Sequence, residues 1–161
     1  MDSWPIAHEL EKRYPGPSLH LDDPITVKIR DLTSPILDPV IMQFLSYVPD
    51  HLTERSREWF YESRNAAFGK PIQEVHKEAL ANADEGWKQC YEVLKEAADL
   101  LKKHEGPFFL GQTVSYADFI FTSMLYFVKL LDESAFDKMV SQDPVFSKLY
   151  EATSQWFTKA D

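Results

Sequence analysis

The stretch Phe109-Leu-Gly-Gln-Thr-Val-Ser-Tyr-Ala-Asp-Phe-Ile120 most constrains what this chain can fold into. It reads as a glycine turn followed by a helix start. Ser115 has the character of an N-cap, whose hydroxyl accepts from the orphan N–H groups of a first turn. Asp118, three residues on, can reach back to the Ser115 N–H as the acidic member of a capping box. Val114 and Phe119 have the spacing of a hydrophobic staple. The helix that follows, over 116–131, is apolar on nearly every side. So well-specified a start on so apolar a helix predicts the central, buried helix of an all-α domain.

Size and composition agree. The 161 residues suffice for one domain with a sizeable core. A hydrophobic content of 44% excludes a disordered chain, and five glycines disfavour a loop-rich β fold. The net charge of −9 argues against nucleic acid or an anionic membrane as the main partner. The apolar helix at 116–131 is short for a membrane span and carries Asp118 and Lys129, so a buried core is expected instead. Cys90 is the single cysteine, so no intramolecular disulfide can form and a reducing, cytoplasmic compartment is the expectation. The opening Met-Asp-Ser-Trp-Pro-Ile lacks the basic and apolar regions of a signal peptide.

Along the chain, residues 3–14 read as a helix with Ser3 as cap and Ile6, Leu10 and Tyr14 on one face. Pro15-Gly-Pro17 ends it, and a polar connection leads to Pro24. Pro35 and Pro39 predict a short helix, an interruption, and a second helix through Ile41, Phe44, Leu45 and Val48. Thr53 can cap a helix that stops at Gly69. From Ile72 to Leu101 apolar residues recur in steps of three or four. One helix of about 30 residues, roughly 45 Å long, is expected there, with a bend at Gly86. Short helices follow near 134–140 and from Asp143, the latter presenting Phe146, Leu149, Tyr150, Thr153 and Phe157 inward. No strand or internal repeat is expected.

The capping segment resembles the C-terminal domain of the glutathione transferases, where a G-x-x-x-[S/T]-x-x-D segment starts the core helix and serves folding. Trp59-Phe-Tyr-Glu-Ser-Arg-Asn-Ala-Ala-Phe-Gly69 is similar to the matching helix of the etherase-like branch, the bacterial lignin β-etherases and the fungal FuA class. The first fifteen residues resemble the last helix of that family's thioredoxin-like domain. The resemblance therefore implies a remnant of that domain at 1–15, a linker at 16–23 and the helical domain at 24–161. It implies glutathione as co-substrate, with Asp2 and Ser3 at its γ-glutamyl end, since a helix N-terminus offers donors to a carboxylate. By its residue type alone, Ser3 reads first as a cap. The family's thiol-activating Ser, Tyr or Cys lies in the thioredoxin-like half and maps to no residue here, so no catalytic residue is assigned.

For the hydrophobic substrate, Arg57, Tyr61, Arg64 and Phe68 share one helix face and suit a flat, partly anionic aromatic molecule. The same arginines could instead be solvated, pairing with Glu54, Glu58 or Glu62. Tyr126 and Phe127 are further candidates, with core packing as the alternative. Cys90 falls on the apolar stripe of its helix and reads as an inert buried thiol. The five histidines are scattered and no metal site is recognisable. Three functions stay open. They are the substrate-binding half of a transferase or ether-cleaving enzyme, a binding module for small aromatics, and a docking domain whose partner is a second copy or a missing N-terminal half.

Overall fold

In the computed structural model, residues 3–157 are described. They form eight α-helices: α1 (Ser3–Arg13), α2 (Pro24–Leu37), α3 (Glu54–Phe68), α4 (Ile72–Ala81), α5 (Ala83–Leu101), α6 (Tyr116–Leu131), α7 (Glu133–Val140) and α8 (Pro144–Thr153). Tighter 3-10 turns occupy Ile41–Gln43, Leu45–His51 and Ser154–Trp156. Among the described residues no strand forms, only isolated bridges in the loop at 108–113. The all-α reading holds.

Helix α6 is the centre. Its Ala117, Phe121, Thr122, Met124, Leu125 and Val128 are buried, and α2, α7 and α8 pack around it. An aromatic row runs through this core. Phe109 meets Phe121 edge-on at 5.8 Å, and Phe121 stacks on Phe146 of α8 at 5.3 Å. Each such buried ring contributes about 1.5–3 kcal/mol relative to an exposed one. From α2, Ile29, Leu32 and Ile36 face the core, and from α5, Cys90, Leu94, Ala97 and Leu101.

The start of α6 is built as its residues dictate. Ser115 and Asp118 form the capping box. The Asp118 carboxylate, fully buried, accepts the Ser115 N–H at 2.7 Å and the Ser115 hydroxyl at 2.9 Å through Oδ2. Its other oxygen accepts the Phe109 N–H at 2.8 Å, so one side chain ties the preceding loop to the helix. The Tyr116 N–H, one of the helix's orphan donors, is taken by the Leu19 carbonyl at 2.7 Å.

Several expectations are corrected. Ser3 lies within α1 rather than outside it as a cap. Pro35 does not end α2: the helix continues through it to Leu37 and closes with Asp38 N–H on the Ser34 carbonyl. The second helix expected near 41–48 is a pair of 3-10 turns, the later one running through Pro49. The long helix over 72–101 is two helices. The break falls at Asn82, whose side chain donates to the Glu78 carbonyl at 3.1 Å and turns the chain. Gly86 lies inside α5, which runs through it unbroken. A Cβ there would overlap the Pro39 carbonyl oxygen, so this glycine lets α5 approach the chain just after α2. Gly69, at φ 68°, ends α3 in the left-handed conformation, as its position in the sequence implies.

Helix α1 is held differently from the rest. None of its residues is fully buried. Glu11 anchors it by accepting the Ser18 hydroxyl at 2.5 Å and the Leu19 N–H at 2.9 Å. The Ser18 hydrogen bond outweighs partial burial and lowers the Glu11 carboxyl below its ordinary value. Ile6, Leu10 and Tyr14 remain exposed.

Candidate functional site

Ser3 stands where two cavities meet. The first, about 390 Å³, lies between α1, α2 and α6 and is lined by Ser3, Trp4, Arg30, Thr33, Ser34, Tyr116 and Ile120. The second, about 540 Å³, runs under α1 and is mostly apolar, with Ile6, Ala7, Leu10, Tyr14, Leu19 and Leu21 as walls and the Glu11 carboxylate among its lining. Ser3 and Tyr116 border both. A mostly apolar space with a few convergent polar groups is the usual form of a small-molecule site.

Each polar group is positioned by a local rule. Tyr116 is the first residue of α6, so the capping box fixes where its ring leaves the helix. Arg30 projects from the middle of α2, and its guanidinium lies over the Trp4 ring at 4.6 Å. Trp4 in turn meets Tyr116 at 6.0 Å and His8 edge-on at 5.1 Å. The Thr33 hydroxyl is already committed to the Ile29 carbonyl at 3.1 Å. The arrangement offers a cation, hydroxyls and flat apolar walls, which suits a small molecule with an aromatic part and an acceptor-rich end.

The other residues singled out from sequence lie elsewhere. Asp2 is outside the described residues. On α3, the Arg57 Nε donates to the Pro49 carbonyl at 2.9 Å and its Nη2 reaches Leu52 O at 3.5 Å, so this arginine tethers α3 to the turn before it. Arg64 lies over the Phe60 ring at 5.6 Å, and Tyr61 meets that same ring edge-on at 6.2 Å. Phe68 is half-buried at the end of α3. None of these four, nor Tyr126, lines either cavity that Ser3 borders. A cavity of about 630 Å³ beside α3 is lined instead by Arg55, Ser56, Trp59 and Phe60 of the neighbouring face, with Val48 and Leu52. None of the ion pairs among the described residues joins an α3 arginine to Glu54, Glu58 or Glu62. Tyr126 stacks on Phe157 at 5.3 Å and holds the C-terminal turn against α6.

Two alternatives to the Ser3 site fall away on chemistry. The groove between α5 and the α7–α8 turn is larger, about 740 Å³. Four lysines on its rim face four carboxylates, one pair being Lys102 with Asp143, so its charges cancel and it selects no ligand sign. Burial pushes the Cys90 thiol up to about 12, which leaves it protonated and unreactive. Among the described residues no cluster of histidine, cysteine and carboxylates could hold a metal ion, and no helix is long and apolar enough to cross a membrane.

Of the residues bordering the cavity between α1, α2 and α6, sequence reasoning named Ser3 but not Trp4, Arg30, Thr33, Ser34, Tyr116 or Ile120. Tyr116 was within reach, because it opens the helix whose cap was already recognised. Arg30 was not, since nothing in the spacing of α2 tells which neighbour its guanidinium meets.

With this geometry in place, the comparisons with known proteins add the family. The family model for the glutathione S-transferase C-terminal domain matches residues 30–156, most of the chain. The chain belongs to that family. It is also similar to the glutathione S-transferase-like protein ustS of Aspergillus flavus, at 27% identity over 169 residues. That match takes in 97% of this chain, which spans 60% of the relative's length.

Proposed function

We propose that this chain is the substrate-binding helical part of a glutathione-dependent transferase acting on small aromatic electrophiles, by conjugation or by ether cleavage. The observation that carries the reading is the meeting of two cavities at Ser3 and Tyr116, one apolar and one bearing donors. Glutathione supplies a thiol nucleophile, and the aromatic partner needs a dry, flat wall beside it. On this reading Ser3, with Asp2, receives the γ-glutamyl end, while Tyr116, Trp4 and Ile120 orient the aromatic ring and exclude water. No residue of this chain is assigned to activating the thiol. The fungal relative supports the fungal side of the etherase-like branch within the same proposal. The same proposal divides the chain into a short N-terminal arm at 1–15, a linker at 16–23 and the helical domain at 24–161.

Titration calorimetry of the chain with glutathione, beside a turnover assay with a chlorinated aromatic electrophile, tests it. Binding of glutathione, with or without turnover, supports the reading. Silence in both removes it.

A second reading is favoured by the apolar cavity under α1. There the chain sequesters a small apolar aromatic molecule without turnover. Saturable binding of an apolar dye, unaffected by glutathione, supports that reading. The exposed Ile6, Leu10 and Tyr14 also fit a covering partner, a second copy or a further half. A mass that rises with concentration supports the second copy.

A further inference from the structure

We propose that Arg30 reads a carboxylate: in the cavity between α1, α2 and α6 it takes the anionic group of the bound molecule and selects acidic over neutral ligands. The inference deepens the reading above and rests on it for the first ligand to try, glutathione.

Three observations carry it. Arg30 is the lone lysine or arginine among the residues lining this cavity and the apolar one beside it. In a chain of net charge −9, an anionic ligand needs such a local cation. Second, the guanidinium is pre-oriented. It lies over the Trp4 ring at 4.6 Å, which fixes its plane and limits the freedom lost on binding. Third, its donors are mostly unspent. A guanidinium carries five N–H groups. Asp31 Oδ1 takes Nε at 2.8 Å and Nη2 at 2.7 Å, and among the described residues no other acceptor engages Arg30. That pair joins adjacent residues, and the Asp31 side chain is 58% exposed, so solvent weakens it. A better placed carboxylate can displace Asp31. The Ser34 hydroxyl, which has no hydrogen-bond partner among the described residues, lies on the same wall to receive the second oxygen. Trp4, Tyr116 and Ile120 form the apolar remainder, where the uncharged body of the ligand rests.

The carboxylate could belong to glutathione or to its aromatic co-substrate, and two probes separate them. Calorimetry is run on the chain with glutathione and with 2-naphthoate, using 2-naphthamide as the neutral control. For the ligand whose carboxylate Arg30 reads, Arg30→Gln weakens binding about tenfold, the loss of one charge-assisted hydrogen-bonding partner. Arg30→Lys recovers only part of it, because an ammonium keeps the charge and loses the planar fork. Asp31→Asn tightens the same ligand by about two- to threefold, since it removes the competing carboxylate. A merely structural Arg30–Asp31 pair would loosen binding in that variant. The naphthamide is indifferent to all three changes.

Loss confined to glutathione, or confined to naphthoate, supports the inference and names the source. Naphthoate bound in an Arg30-dependent way with glutathione unbound sustains the inference and removes the glutathione reading. Glutathione bound with neither probe responding to Arg30→Gln overturns the inference and leaves that reading standing. Failure of the wild-type chain to bind either probe overturns both.

Discussion

At the scale of single residues, Asp118 carries the most structural weight. It is buried and accepts three hydrogen bonds, from the Phe109 N–H, the Ser115 N–H and the Ser115 hydroxyl. Asp118→Asn keeps the shape but turns an NH₂ toward donors that need an acceptor. We expect a loss of about 2–4 kcal/mol, read from urea unfolding, because a buried N–H is left unsatisfied. Burial raises this carboxyl above its ordinary value of 3.8, and the three donors only partly offset it. The folded chain therefore keeps the proton to higher pH than the unfolded chain does. The stability this contributes is complete below the unfolded value and fades as pH rises through the folded one. The gap between wild type and Asp118→Asn should narrow as pH climbs from 3.8 toward neutrality, measured by thermal unfolding. A gap that stays level would place the carboxyl at its ordinary value. The capping box was legible from the sequence, because it is written within four residues; the Phe109 N–H on the same carboxyl was not, since it comes from the loop six residues before the cap.

At the scale of elements, the same test separates what could be read from what could not. Gly69 and Asp143 end and start their helices through local geometry, and both positions followed from residue type. Gly86 did not, because its constraint lies 47 residues earlier in the chain, at the Pro39 carbonyl. Sequence spacing marks a glycine in a helix as a weak point, while the structure makes it a contact point. The two views predict opposite signs for Gly86→Ala. In a free helix interior the change stabilises by about 0.5–1 kcal/mol. Here the added methyl forces α5 away from the end of α2, and we expect a loss of about 1–3 kcal/mol by chemical denaturation. The break at Asn82 was hidden because the apolar spacing continues across it; there the backbone leaves the helical conformation at φ −116° and ψ 22°, and the side chain takes the Glu78 carbonyl. On α3 the predicted aromatic and guanidinium face was a sound inference from spacing. What the spacing could not supply was the Pro49 carbonyl, which engages Arg57.

At the scale of the whole molecule, two populations of structure coexist. Helices α2, α5, α6, α7 and α8 share one core, while α1 buries none of its residues fully. Hydrogen exchange should show the amides of α1 exchanging well ahead of those of α5 and α6, by mass spectrometry of peptides from each. Equal protection would mean that α1 belongs to the same cooperative unit. The candidate site straddles this boundary, with Trp4 on the lightly held side and Arg30 and Tyr116 on the firm one. That is also why it was mostly illegible: it exists only where three helices distant in sequence converge. The hydrogen bond from the Tyr116 N–H to the Leu19 carbonyl has a consequence in time. It closes a loop of about a hundred residues, and such a closure is entropically costly until the segments between are already ordered. The segment around Leu19 is thus expected to dock on α6 late, once the helices between them are ordered.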